Sequence, residues 1–334
     1  MRQTPENRSM PVAEWPDFDR ERWIAATAHR NIFDSDCNSP SQWSRDTRKG
    51  HAHGYGQWLN WLHREDPFVL SARPAERAGL DRLKVYHEAL RARSLADYTV
   101  AGRIRSVGQA LVAIEPDHDW SWIERAADRL HGQARHKKDI REILQPASEV
   151  LDLGFSLMED CGQDDGASTA GGYGSVRYRD GLIIAFLILC PLRRRNLASL
   201  ALGHGLERQG DVWRVRIPAE ETKSRREIYW RWPILLDDAL NHYLTVHRPA
   251  LLGRCAGDPY CTEALWISRL GRQMSSQAIY EMVCARTEAA FGRAIYPHAF
   301  RHIAATTIAT LAPEQTDLVM DVLSHVSTRS SDKH

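Results

Sequence analysis

One stretch constrains this chain more than any other. From Leu182 to Cys190 it reads Leu-Ile-Ile-Ala-Phe-Leu-Ile-Leu-Cys, without a polar side chain. A helix that is apolar all round has to be enclosed on every side. A bilayer crossing needs about 20 such residues, roughly twice this run, so protein rather than lipid must enclose it. The run therefore predicts the central helix of a globular domain. Pro191 ends it, because proline lacks the N–H that a further helical turn would use.

The flanking sequence supplies the shell. Pro146 stands where a helix begins, and Val150, Leu151, Gly154, Leu157 and Met158 form its apolar face. Gly162–Gly174 is acidic and then Gly-rich, and reads as a surface loop. Val212–Ile217 and Ile228–Trp232 alternate apolar and polar residues, which predicts two strands of a small antiparallel sheet joined by a turn over Glu220–Glu227. Helical spacing returns over Asp238–His247, Ser276–Phe291, His298–Leu311 and Thr316–Ser324.

Upstream, apolar residues recur at helical spacing in Trp58, Leu59, Trp61 and Leu62, in Leu80–Leu90, in Val100–Ile114 and in Trp122–Leu130. Four helices with short connections predict a small bundle. The expected fold is thus mainly α: a helical bundle over 45–132, then a mostly helical domain over 143–334 with a small antiparallel β-sheet. Residues 1–44, studded with Pro and Asp, read as a loosely ordered N-terminal extension, and the basic, polar 133–142 as a linker.

With 43% apolar and 26% charged residues, disorder and fibrous classes are excluded. The polar, acidic start carries no secretory signal, and the six cysteines form no Cys-x-x-Cys pair. Reduced thiols and a cytoplasmic location are expected, with no membrane association. The net charge of +1 hides two basic blocks, 45–145 and 175–334, flanking an acidic 146–174. Basic surface points to phosphate-bearing partners.

Four groups of residues stand out by position. Arg193, Arg194 and Arg195 follow directly on the buried helix, where at least one guanidinium should face a cleft or an anion. Lys223 lies at the tip of the turn between the strands. His298, Arg301 and His302 open a helix after Pro297, with His298 and Arg301 on one face. His325 ends the last helix. Singly, each is an ordinary surface residue. His298 and His302, four apart, have the spacing of metal ligands, but Ala299 stands where a His-Glu-x-x-His site needs its glutamate. No metal or other cofactor is expected, and a metal-dependent hydrolase is disfavoured.

Taken in order, the groups resemble the tyrosine recombinases, the phage-integrase family. Cys190-Pro-Leu-Arg-Arg-Arg-Asn-Leu197 is similar to that family's first motif, which runs threonine, glycine, leucine, arginine, two variable residues, glutamate, leucine. Thr222-Lys223-Ser224 resembles its turn lysine, Pro297–His302 its histidine-x-x-arginine motif, and Leu323-Ser324-His325 its leucine-glycine-histidine motif. Arg179-Asp180, Arg248-Pro249 and Gly292 also fall where the family has landmarks. The resemblance covers about 143–334; the bundle is similar to the family's DNA-clamping core-binding domain in architecture only.

The resemblance implies site-specific recombination or integration on double-stranded DNA, by strand cleavage and rejoining through a 3′-phosphotyrosyl intermediate, with self-association into a tetrameric synapse. It assigns Arg193 as the first arginine, Lys223 as general acid, His298 and Arg301 as phosphate ligands and His325 as the last donor. The physics fits these types. Strand transfer passes through a five-coordinate phosphorane, and two arginines can hold its oxygens in fixed, bidentate geometry. A turn lysine can protonate the leaving oxygen. Cationic side chains then do what a metal otherwise would.

Three departures stand out. Asn196 replaces the glutamate, Phe300 a leucine and Ser324 a glycine. The family tyrosine lies nine or ten positions past His325, which is His334 or beyond, and the final tyrosine here is Tyr296. The expectation is a recombinase whose nucleophile is absent from these residues through truncation; the alternative is a non-catalytic DNA-binding regulator derived from a recombinase.

Overall fold

A computed structural model describes residues 8–28, 39–135, 143–160, 173–222, 225–254 and 263–311. The chain divides into two compact units, Met1–Lys138 and Asp139–His334.

The first unit is helical: α1 (Asp17–Thr27), α2 (Arg45–Glu65), α3 (Pro74–Arg77), α4 (Leu80–Ala92), α5 (Asp97–Ile114) and α6 (Ser121–Gln133). Trp58 is wholly buried, and Trp61 stacks on it at 5.2 Å, as core aromatics rather than a surface platform. The expected loose extension over 1–44 needs correction. Trp15 and Trp23 are buried against Tyr55 of α2, with Trp15 edge-on to both. The Met10 N–H donates to the Gly56 carbonyl at 3.0 Å, and a side chain on Gly56 would overlap that segment.

Charge locks this arrangement. Asp19 and Arg77 are 0% and 1% exposed and bonded to each other; the Tyr55 hydroxyl donates to the same Asp19 oxygen at 2.7 Å. Arg77 Nη1 also donates to the Ala72 carbonyl at 2.9 Å. A buried carboxylate is tolerable only when paired in this way. The first forty residues hid their role because the inward face of α1 is made of Asp, Trp and Thr rather than aliphatic residues.

The second unit is built around α8 (Tyr173–Leu189), preceded by α7 (Ala147–Glu159). Leu182 to Leu187 are all fully buried, as an all-apolar helix requires. α7 and α8 cross in close contact: a Cβ on Gly181 would run into the Gly154 carbonyl. After α8 come α9 (Arg194–Ser199), β1 (Ala201–Leu202), β2 (Gly205–Gln209), β3 (Val212–Ile217) and β4 (Ile228–Arg231). β3 and β4 pair antiparallel as expected, from Ile217 opposite Ile228 to Arg214 opposite Arg231. The sheet, however, has four strands and is mixed, since β1 runs parallel to β2. Gly203 and Gly205, both at positive φ, turn the chain between these two short strands. The sequence there, Leu-Gly-His-Gly, looks like a turn and nothing more.

The helix expected over Asp238–His247 is α10 (Asp237–His242) followed by a π-turn (Tyr243–His247), which runs into α11 (Arg248–Leu252). α12 (Ser276–Phe291) starts at a Ser275 cap and stops at Gly292, whose φ of 68° only glycine adopts freely. α13 (Pro297–Leu311) completes the described residues. The loop expected over Gly162–Gly174, apart from its last two residues, and the helix expected over Thr316–Ser324 lie outside them. None of the described helices is long and apolar enough to cross a membrane.

The π-turn brings His242 and His247 within 4.9 Å, with His247 stacked on Tyr178 at 4.1 Å and its Nδ1 3.1 Å from Ser175 Oγ. Burial, and then the neighbouring His242, pushes the His247 imidazole down to about 4. Unfolded, it titrates near the ordinary value of about 6.5. Between those values the unfolded chain binds the extra proton, so the stability this site contributes is full above the upper value and falls away as pH drops through the window. His247→Phe, which preserves the ring stack, should remove on the order of 2 kcal/mol of the acid-side loss of stability. Thermal unfolding of both forms from neutral to mildly acidic pH checks this; parallel curves would assign the loss to other groups.

Candidate active site

The end of α8 sets up the site. Pro191 breaks the helix, and Leu192 and Leu197 are buried on either side of the arginine run. Arg193 has extended backbone and caps α9, its carbonyl accepting from the Leu197 N–H at 2.9 Å. The three guanidiniums are therefore in different surroundings. Arg194 reaches Gln277 Oε1 of α12 at 3.4 Å and lies over the Tyr280 ring at 5.2 Å. Arg195 is exposed. Arg193 is half-buried, and burial lowers its affinity for the proton.

Arg301 comes to it from α13. Ala299, Phe300 and Ile303 sink into the core, so Phe300 in place of leucine is a packing change. They hold Arg301 only 5% exposed, with Nη1 donating to the Pro191 carbonyl at 2.8 Å. That bond places the Arg301 guanidinium beside the residue that ends α8, two positions before Arg193. Burial first, and then the charge of Arg193, hold Arg301 at about 10, well below the usual arginine range. Two cations sharing a partly desolvated site repel; an anion between them relieves both the repulsion and the desolvation. His298 is exposed one turn earlier on α13, its ring 5.1 Å from that of His302 and nearly perpendicular to it.

Of the other expected site residues, Lys223 and His325 lie outside the described residues. The base of the Lys223 turn is described. Thr222 is buried there, its hydroxyl 2.8 Å from the Arg226 carbonyl and accepting from the Arg226 N–H at 3.1 Å. Arg225 adopts a positive φ of 54°. The turn thus leaves and re-enters the sheet through a pinned neck.

Sequence reasoning missed the supports. Asp180, on α8, accepts from Arg179 at 2.5 Å and from Arg286 of α12 at 2.9 Å, while Arg179 Nη1 donates to the Ile267 carbonyl at 2.6 Å. Arg248 is buried and donates to the Ala264 carbonyl at 3.0 Å. These landmark residues are braces rather than ligands. Asn196, only 4% exposed, leaves its Nδ2 without a hydrogen-bond partner among the described residues. Cys190 is a free thiol pushed up to about 12 by burial, hence inert. Among the described residues no three His, Cys, Asp or Glu side chains converge as metal ligands.

The fold is that of site-specific recombinases. XerH recombinase in its pre-cleavage complex with the difH substrate matches with a TM-score of 0.54 at 14% identity, over 97% of this chain and 96% of that one. The post-cleavage complex of XerH with palindromic difH matches at 0.56 and 14%, over 97% and 94%. No curated protein sequence matches the chain. Residues 167–333 match the model of the phage integrase family, and the chain belongs to that family.

Proposed function

We propose that this chain is a tyrosine-type site-specific DNA recombinase that cuts and rejoins double-stranded DNA through a phosphotyrosyl intermediate. The observation that carries the reading is the meeting of Arg193 and Arg301, two guanidiniums in one partly buried site, tied to the α8 end through the Pro191 carbonyl. Such a pair suits the non-bridging oxygens of a phosphodiester and the extra charge they gain in the phosphorane. His298 adds a donor on the same helix. Lys223 acts as general acid from its turn, and His325 as the last donor. Members of the complex self-associate as a tetramer on paired sites.

No tyrosine follows Tyr296 in the 334 residues, so in this reading the attacking oxygen is supplied by residues beyond His334. The 334-residue chain should give no stable covalent adduct with a nicked trap duplex on a denaturing gel. A form extended by the residues encoded downstream, carrying a tyrosine directly or one position after His334, should give one. An adduct from the shorter form would mean a nucleophile delivered in trans or from an upstream tyrosine. No adduct from the extended form would favour a DNA-binding regulator that occupies recombination sites without cutting them.

A further inference from the structure

In the first unit α2 and α5 touch where Gly54 faces Ser106: a Cβ on Gly54 would overlap the serine side chain, so this glycine serves packing. One turn towards the N-terminus of each helix stand Gly50 and Gly102. A Cβ on either would meet nothing within 4 Å. Glycine inside a helix is destabilising relative to almost any other residue, and no neighbour among the described residues accounts for these two.

Both line one concavity, together with Thr47 and His51 of α2 and Thr99, Arg103 and Ser106 of α5. The spacings of three, four and seven put each set on one face of its helix. The lining offers three hydroxyls, an imidazole and a guanidinium, and no carboxylate. Arg103 is half-buried and has no hydrogen bond or ion pair with a described residue. Its charged neighbours are Arg93 and, further round, His53. Asp97, at the start of α5, is already held by Arg91 at 2.8 Å and by the Arg135 N–H at 3.2 Å. The groove is therefore cationic, polar and open to the backbone of both helices.

We propose that this groove seats the sugar–phosphate backbone of one DNA strand, with Arg103, Thr47, Thr99 and Ser106 binding phosphodiester oxygens and Gly50 and Gly102 admitting the strand against the helix backbones. The proposal rests on the reading of the chain as a DNA recombinase. It gives the two glycines a purpose that packing does not, and gives Arg103 the counter-charge it lacks.

The test uses the whole chain and a labelled duplex titrated across salt concentrations. Gly50→Leu with Gly102→Leu should raise the melting temperature, since leucine favours helix and the space is empty, and yet weaken binding by about tenfold or more, the loss of a charge-assisted hydrogen bond. Arg103→Gln should weaken binding and make the log–log salt slope shallower by about 0.9, one phosphate contact. If the original chain binds duplex and these variants bind it equally well with the same slope, the groove is not the seat while the recombinase reading stands. If the original chain binds no duplex even at low salt, both fall.

Discussion

Arg193→Ala should slow single-turnover cleavage of a nicked substrate by on the order of 10²–10³, the cost of losing one preorganised donor to developing charge. The measurement needs a form of the protein carrying a tyrosine beyond His334. Arg194→Ala and Arg195→Ala should stay within about tenfold of the parent, because neither supplies that donor. The three arginines are consecutive, but their surroundings differ. Arg194 is engaged by Gln277 and Tyr280, Arg195 faces solvent, and only Arg193 is electrostatically paired with Arg301. Equal losses at all three would show that charge density, not placement, is what the run provides, and the single-residue role would fall.

Asp19→Ala should destabilise the first unit by about 3–5 kcal/mol, because it strands the Arg77 guanidinium in a site that water does not reach. Asp19→Leu combined with Arg77→Met should recover most of that loss, since two apolar side chains of similar bulk leave no charge behind. Urea unfolding followed by tryptophan fluorescence is well suited, with Trp15 and Trp23 beside the triad. A cost under about 1 kcal/mol for Asp19→Ala would mark the pair as a surface-like one, and would detach α1 from the bundle's stability.

How far the sequence was legible differs from element to element, and the reasons are physical. α12 was readable to the residue, because a serine cap and a left-handed glycine punctuate its two ends. β3 was readable because one face of Val-Trp-Arg-Val-Arg-Ile is apolar at period two. β1 and β2 were not: their few residues surround two glycines, and short strands paired at one or two positions carry no alternation. α1 was missed because its anchors are a buried ion pair and two tryptophans rather than an aliphatic stripe. In the candidate site, Arg193 and Arg301 were readable from side-chain motifs. The acceptor that ties Arg301 to the end of α8 was not, since a main-chain carbonyl at Pro191 leaves no trace in residue type. Nor was the orphaned Nδ2 of Asn196, which depends on what fails to reach it.

The bond from Arg301 to the Pro191 carbonyl joins residues 110 positions apart. As the chain emerges from the ribosome, α8 and the sheet are available long before α13. The anion site is therefore among the last things the second unit acquires, and long-range closures of this kind are slow steps in folding. A nascent or prematurely terminated chain that stops short of residue 301 has Arg193 without its counterpart. Competence for gripping phosphate is in this sense coupled to the completion of synthesis, so partial products are excluded from the paired-arginine grip without any separate device to inactivate them.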